Sequence, residues 1–272
     1  MFARWIWPVF RVSSILLVNF QLLTLGFCSE LKVRLRLANG QIMEETLESD
    51  SEQDCITLEF KKGDGTLITF VADFKQEVKI FRLLILGEPE CGQSQVQVLC
   101  FITRLNPSDI IPSASMEHLR QKNPHVIHMA EKRRGVEELT VNVAINLSQA
   151  GQLSPHIASM CSEAREAVYT READAKHWLD RGVEGSMFEI LPQEGHVPGL
   201  QNCSSAQDAW QPCTCSYRLR LEWYPCLLKF CRNRHTTGKT GPYKCGIKSC
   251  SKGYRFSYYV AQRQLCLWDE GP

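Results

Sequence analysis

The sequence predicts an α+β N-terminal domain followed by a small, disulfide-rich and mainly β domain. Runs that alternate between apolar and polar residues fill much of residues 31–105, and this period of two is typical of strands. An amphipathic stretch that begins at Ser154 is typical of a helix. Eight of the 13 cysteines fall in residues 203–272, a segment too short to bury a stable core without crosslinks.

The first predicted strand covers Leu31–Leu37, where apolar residues alternate with Lys32, Arg34 and Arg36. Asn39-Gly40 follows it and is a favoured turn of two-residue hairpins. Further strands are predicted at 56–60, 67–71, 78–86, 96–105 and 139–145, because these runs are rich in β-branched and aromatic residues.

Two helices are predicted. The first follows Pro112, with Ser113 as its cap, and ends ahead of the next proline. The second begins at Ser154-Pro155, a capping residue followed by proline at the first helical position. It ends at Gly182, and a break near Thr170 is the alternative. Its apolar face consists of Ile157, Met160, Cys161, Ala164 and Val168.

Residues 1–28 have the layout of a secretory signal peptide. Arg4 and Arg11 precede an uncharged apolar run, and the small residues Gly26 and Cys28 stand before a cleavage site. The run is shorter than the roughly 20 residues that span a bilayer, so cleavage is favoured over the alternative, an uncleaved anchor. No later segment is long and apolar enough for stable membrane insertion. The sequence thus predicts a secreted, extracellular protein that passes through the endoplasmic reticulum.

The mature chain is divided into a domain of residues 29–191, a linker of 192–202 and a cysteine-rich domain of 203–272. The linker is rich in proline and glycine and has no periodicity. Residues 29–200 contain 18 Lys and Arg against 26 Asp and Glu, a net charge of −8, whereas residues 201–272 contain 11 against 4, a net charge of +7. This asymmetry indicates either two parts that attract each other or two independently solvated surfaces.

The C-terminal cysteines are predicted to form disulfides, because the secretory route is oxidising. They are Cys203, Cys213, Cys215, Cys226, Cys231, Cys245, Cys250 and Cys266. A zinc site and a redox pair at Cys213-Thr-Cys215 are the disfavoured alternatives, since the sequence lacks paired C-x-x-C knuckles and a βαβ pattern at this point. The connectivity stays open, because eight cysteines allow 105 pairings. Cys55 and Cys91 are either paired with each other or two free thiols.

No constellation of catalytic residues is evident, so we expect a non-enzymatic protein without a cofactor or metal. The patterns H-E-x-x-H and G-x-S-x-G do not occur, and Gly238-Lys239-Thr240 lacks the earlier glycine of a phosphate loop. Because the chain is secreted, its cationic residues 218–255 suit an acidic glycan or acidic protein better than nucleic acid. Asn146-Leu-Ser148 and Asn202-Cys-Ser204 are predicted glycosylation sites.

Several segments resemble the Out at first protein homologues. They are Leu31–Leu37, Asp64–Leu67, Ala72–Lys75, Gly92–Gln95, Tyr243–Cys250 and Gln262–Glu270. The resemblance covers nearly the whole mature chain and is specific. It implies a secreted family with a developmental link, but it supplies no molecular mechanism.

The N-terminal domain also resembles a BRICHOS domain. Asp73, Cys100, Pro112 and Cys161 match, in order and in rough spacing, the strand Asp, the first Cys, the helix-leading Pro and the second Cys of that family. The resemblance implies a central sheet flanked by two helices, a Cys100–Cys161 disulfide and a buried structural acid at Asp73. The extra Cys55 and Cys91, and the cysteine-rich segment that follows, depart from the pattern.

These expectations lead to one hypothesis and one alternative. The N-terminal domain binds an extended, β-prone peptide as a chaperone does, by strand addition or in a groove. The most economical partner is the protein's own cysteine-rich domain, whose strand at residues 254–260 is aggregation-prone before its disulfides close. The alternative is extracellular signalling, or binding to matrix or an acidic glycan, through the basic C-terminal domain.

Overall fold

The computed structural model describes residues 28–37, 39–87, 96–119, 123, 125–193, 199–232 and 242–266. Residues 1–27 of the predicted signal peptide, Cys91, Gly238-Lys239-Thr240 and part of the predicted linker lie outside the described residues. No helix in the described ranges has the length and hydropathy of a membrane-crossing helix.

A ten-stranded sheet forms the larger part of the molecule. Its first six strands follow one another in chain order, each antiparallel to the next: β1 (Cys28–Arg36), β2 (Ile42–Asp50), β3 (Cys55–Lys61), β4 (Leu67–Asp73), β5 (Val78–Leu86) and β6 (Val96–Arg104). The alternation in the sequence predicts five of them. The exception is β2, in which the polar residues Glu45 and Ser49 occupy buried positions.

Four short strands extend this sheet at its two edges. β7 (Ile127–His128) pairs in parallel with β1. At the other edge, β10 (Val168–Thr170) pairs in parallel with β6, and β9 (Val143–Ile145) and β11 (Phe188–Ile190) continue the sheet in antiparallel order. The edge strands are therefore short, which limits pairing with other chains.

A four-stranded sheet joins the cysteine-rich segment to one strand from the N-terminal part. Its order is β12 (Gln201–Asn202), β13 (Cys213–Arg232), β14 (Pro242–Val260) and β8 (Lys132–Val141). β13 and β14 form a long antiparallel hairpin, and β8 lies parallel to β14. The chain passes from β8 through Asn142 into β9, so one N-terminal segment belongs to both sheets.

The expectation of an α+β domain with a sheet flanked by two helices is wrong, because the molecule is mostly β. The described residues contain three short α-helices: α1 (Ser113–Met116), α2 (Pro155–Cys161) and α3 (Glu172–Asp180). The helix predicted after Pro112 lasts one turn, and α2 ends at Cys161. Residues 168–170 instead form β10, which pairs with residues 100–102 of β6. Pairing with a buried strand thus outweighs the local helical pattern.

One face of the large sheet and part of the other are covered. One face packs against the hairpin of β13 and β14, in a core that contains residues from both parts of the chain. The opposite face of β4–β6 packs against α2 and against Trp178 of α3. A β-hairpin, rather than a helix, therefore covers one side of the sheet, and this accounts for the mostly β composition.

Candidate functional site

Aromatic rings from both parts of the chain meet on the hairpin face, the side of the large sheet that packs against β13 and β14. Phe101 of β6 stacks on Phe256 of β14, with ring centroids 4.1 Å apart and ring planes within 5°. Phe81 of β5 lies against the rings of Phe256 and Tyr254, at 5.3 and 4.9 Å. Phe81, Phe101 and Phe256 have no exposed surface. Because buried rings dominate core energetics, this cluster fixes the hairpin on the sheet.

Strand β8 adds backbone pairing to the same interface. Its register with β14 runs from Lys132 opposite Cys250 to Val141 opposite Tyr258. The two strands approach closely at Gly253, where an added Cβ would lie 2.9 Å from Cγ2 of Val136. Glycine at position 253 therefore allows β8 and β14 to pair at this short distance.

A partly buried charged cluster lies beside the aromatic rings. Lys252 of β14 forms an ion pair with Glu137 of β8 at 2.7 Å, and it lies 3.9 Å from Asp109. Lys79 of β5 also lies 3.9 Å from Asp109. Both ammonium groups stand over the ring of Tyr254, at 5.0 and 5.5 Å from its centroid. These contacts link β5, β8 and β14 and satisfy charges that would be costly if buried alone.

The cluster shifts the pKa values of its members. Burial lowers the pKa of the Lys79 ammonium group, and the charge of Glu137 opposes this effect. For Glu137, burial acts to raise the pKa, but the hydrogen bond from Lys252 and the charges of Lys79, Lys252 and Arg171 outweigh it, so the pKa is lowered. The lowered pKa keeps Glu137 ionised and available to hold Lys252.

Glu45 lies on the same face, near Glu222 and Trp223 in the middle of β13. Its carboxylate is fully buried on β2, and neither oxygen has a hydrogen-bond partner. Burial, followed by the charge of Glu222 on β13, raises the pKa of Glu45 well above its usual range. The backbone N–H of Trp223 is close enough to lower the pKa of Glu45 slightly, but its geometry is too poor for a hydrogen bond. The pattern of alternating residues gave no signal for Glu45, because acidic residues normally occupy exposed positions.

Asp73, Cys100 and Cys161 form one connected unit on the opposite face. Asp73 is buried, and its carboxylate accepts hydrogen bonds from Oγ of Ser154 at 2.7 Å and from the backbone N–H of Gln76 at 3.0 Å. Ser154 caps α2, which ends at Cys161. Cys161 in turn forms a disulfide with Cys100 of β6. Three of the four residues singled out by the BRICHOS resemblance thus anchor α2 at both ends, whereas Pro112 precedes α1, and the fold differs from the one that the resemblance implies.

The structure pairs all eight C-terminal cysteines. The disulfides are Cys203–Cys213, Cys215–Cys266, Cys226–Cys250 and Cys231–Cys245. Cys213 and Cys215 are therefore bonded to other partners and not to each other. Cys55 is buried at the start of β3, and its candidate partner Cys91 lies outside the described residues.

The outer end of the hairpin is an exposed basic arm, defined here as residues 227–232 of β13 and 242–247 of β14. Phe230 and Tyr243 are 60% and 47% exposed on it. The Cys231–Cys245 disulfide crosslinks the arm. Residues 223–268 contain nine Lys and Arg and no Asp or Glu, so the arm and the strands below it carry charge of one sign. An exposed surface of this kind suits an anionic partner.

The two predicted glycosylation sites are on the surface. Asn146 is exposed, and its side-chain oxygen accepts hydrogen bonds from the backbone N–H and the hydroxyl of Ser148. Asn202 is exposed in β12, and the next residue, Cys203, is bonded to Cys213. Both side chains can be reached from solvent in the folded protein.

The fold and its crosslinks define a class: a mostly β protein in which a disulfide-bonded C-terminal hairpin packs on an N-terminal sheet. The chain belongs to the Out at first family, because the family profile described as "Out at first" matches residues 29–178 and the profile described as "Out at first, C-terminal" matches residues 202–270. The family resemblance seen in the sequence is therefore confirmed.

Two fly proteins are similar to the chain over most of its length. The Out at first protein of Drosophila melanogaster is 40% identical over 253 residues, which cover 89% of this chain and 52% of the fly protein. That of Drosophila virilis is 40% identical over 252 residues, covering 89% of this chain and 83% of the fly protein. The chain thus spans about half of the D. melanogaster protein. No solved structure matches the chain.

Proposed function

We propose that this chain is a secreted, non-enzymatic developmental protein whose N-terminal part acts as a chaperone-type template for its own cysteine-rich hairpin. The binding surface is the hairpin face together with the edge of β8, and the client is the apolar side of β13 and β14. The observation that carries the proposal is the stacking of Phe101 on Phe256 beside the pairing of β8 with β14.

The hairpin has an apolar side that needs a partner. It consists of Tyr217, Leu219, Leu221, Trp223, Tyr254, Phe256, Tyr258 and Val260, all of them buried. An isolated two-stranded hairpin is marginally stable in water, and exposed strands of this composition aggregate. The large sheet supplies the missing surface, and β8 supplies a third strand.

The order of synthesis favours such a template. The N-terminal part leaves the ribosome first, so its sheet is able to form before β13 and β14 emerge. Strand β8 then presents an open edge that β14 joins by strand addition. Because this pairing aligns β14, it brings Cys250 to the place where it meets Cys226 and favours one connectivity among many.

The test is to produce residues 201–272 alone behind a signal peptide. We expect low secreted yield and mispaired cysteines, and we expect residues 29–200, secreted from the same cells, to raise the yield of correctly paired fragment. An unrelated secreted β protein serves as the control. Normal yield of the fragment alone, with its four native disulfides, would show that no template is needed.

A second candidate function is the binding of an acidic, sulfated glycan by the basic arm. The uninterrupted positive charge of residues 223–268 favours it. Replacing Lys229 and Lys244, both exposed on the arm, with Glu should lower the salt concentration that elutes the protein from a sulfated-glycan column. The variant K61E/K176E, on exposed positions elsewhere, changes the net charge equally. If both variants elute at the same salt concentration, net charge alone explains the weaker binding, and a specific role of the arm is excluded.

A further inference from the structure

Three sulfur atoms from two different disulfides meet near the C-terminus. The Sγ atoms of Cys203, Cys215 and Cys266 lie within 4.8 Å of one another. Cys203 is bonded to Cys213, and Cys215 is bonded to Cys266. A thiolate released from one bond would therefore lie next to a sulfur atom of the other, which is the arrangement that thiol–disulfide exchange requires.

The cysteines of the two disulfides differ in their exposure to solvent. Cys203, Cys213 and Cys215 are buried, whereas Cys266 is partly exposed. An external thiol should therefore reach the pair of bonds through Cys266, because exchange depends on access to the sulfur that is attacked.

A cavity of about 790 Å³ is lined by Gln264 and Leu265, the two residues before Cys266. Gln97 also lines the cavity and is only 6% exposed. Its side-chain nitrogen donates to the carbonyl of Leu265 at 2.7 Å, while its buried side-chain oxygen has no hydrogen-bond partner. An incoming molecule with an N–H group could satisfy that oxygen. The cavity thus offers room and an unmet acceptor one residue along the chain from Cys266, the most exposed cysteine of the three.

We propose that this cluster is a thiol-exchange site that takes a peptide thiol as its substrate. The external thiolate forms a bond to Sγ of Cys266, and the Cys215–Cys266 bond breaks, leaving the electron pair on Cys215. The Cys215 thiolate then attacks Sγ of Cys203, and the Cys203–Cys213 bond breaks, leaving the electron pair on Cys213, which takes a proton from water. One thiol enters and one thiol is released, so no oxidant is consumed.

The Cys231–Cys245 disulfide of the basic arm serves as an internal control. Cys245 is exposed, so this bond is also open to an external thiol. Among the described residues, however, the cluster at Cys203, Cys215 and Cys266 is the one group of three such sulfurs found. When an external thiol opens the arm disulfide, no further exchange should follow. One of Cys231 and Cys245 should carry the added thiol, and the other should be the new free thiol.

The test uses the oxidised full-length protein and reduced glutathione, followed by rapid alkylation of new thiols and mass spectrometry. We expect glutathione on Cys266 and the alkyl group on Cys213, with a new Cys203–Cys215 crosslink. Trypsin leaves Cys203, Cys213 and Cys215 on one peptide, because no Lys or Arg lies between Cys203 and Arg218. A second portion of the digest is reduced and its remaining cysteines are blocked with a different reagent, so that fragmentation on either side of Thr214 assigns the first alkyl group to Cys213 or Cys215.

The variant C203S/C213S removes the second bond and should move the alkyl group to Cys215. An alkyl group on Cys215 in the unmodified protein would overturn the transfer step. An unreacted Cys266, under conditions that open Cys231–Cys245, would overturn the entry step. Both readouts come from the unmodified protein, so they remain decisive if the variant is not secreted.

Discussion

Glu45 is a residue whose charge state depends on folding. Its pKa in the folded protein is raised well above the usual value of 4.5, first by burial and then by Glu222. The folded protein therefore binds a proton at pH values where the unfolded chain has lost it. A raised pKa gives stability that is complete below about pH 4.5 and is lost as the pH rises through the folded-state value.

The substitution Glu45→Gln should therefore stabilise the protein at neutral pH and have little effect in acid. The gain in the free energy of unfolding should be about 1.4 kcal/mol for each unit by which the folded pKa exceeds its usual value. Denaturant unfolding between pH 4 and pH 8 measures it. The control is Glu44→Gln, on the exposed side of β2. Parallel pH profiles for the wild type and Glu45→Gln would contradict the prediction.

Gly253 offers a second test at the scale of single residues. In Gly253→Ala the new methyl group would lie 2.9 Å from Cγ2 of Val136, so either the Val136 side chain must change its rotamer or β8 must move away from β14. We expect a loss of about 1–3 kcal/mol in the free energy of unfolding, as is usual for overpacking. Gly246→Ala is the control, because the nearest atom there is 3.9 Å away on Lys229.

The added substitution Val136→Ala should recover part of the loss, because it removes the methyl group that clashes. A double-mutant cycle on Gly253 and Val136 isolates this coupling. Equal losses for Gly253→Ala with and without Val136→Ala would mean that the contact between β8 and β14 is not the cause.

The hairpin allows a matched comparison at the scale of one element. Phe256 and Phe230 lie in its two strands, but Phe256 is fully buried and Phe230 is 60% exposed. Phe256→Ala should cost about 3–5 kcal/mol of unfolding free energy, because it opens a cavity beside Phe101. Phe230→Ala should change it by less than about 0.5 kcal/mol. Chemical denaturation, together with secreted yield, measures both; similar effects of the two changes would argue against a packed hairpin face.

The sequence pattern predicts those strands whose apolar residues form a clear run or alternation. β1, β3, β4, β5 and β6 do so, although β4, β5 and β6 also bury the polar residues Asp73, Lys79, Gln97 and Thr103. β2 does not, because Glu45 and Ser49 are buried in phase with Met43 and Leu47 and so hide the period of two. The helix expected from Ser154 fails for a different reason. Its apolar residues are spaced as in a helix, but residues 168–170 instead become buried by pairing with β6 and do not extend α2.

The candidate site was only partly open to prediction. Cys100, Cys161 and Asp73 follow from a family pattern, and the C-terminal cysteines follow from composition. Lys79 could not be linked to Tyr254 from the sequence, because this contact joins β5 to β14 across a long separation. Lys252 lies two residues before Tyr254 on the same strand, so only that contact is local. A lysine in a mainly apolar strand, as at Lys79, is the one signal that marks such a position.

At the scale of the whole molecule, the two parts of the chain share one core, and none of the described disulfides joins them. The disulfide Cys100–Cys161 lies within the N-terminal part, and the other four described disulfides lie within residues 203–266. The parts are held instead by the rings around Phe101, the cluster at Lys252 and the pairing of β8 with β14. Their net charges of −8 and +7 add a favourable long-range attraction.

This arrangement predicts the behaviour of a chain cut between its two parts. A protease site inserted within residues 194–198 and then cleaved should leave two fragments that elute together in native gel filtration without reductant. They should separate only in denaturant, because their contact includes buried aromatic side chains. Each buried Phe contributes about 3–5 kcal/mol, which is more than most surface contacts contribute. The same cut in Phe256→Ala should let them separate at lower denaturant concentration. If the fragments of the unmodified chain part in native buffer, then the large sheet and the hairpin are independent domains, and the template proposed for the hairpin loses its physical basis.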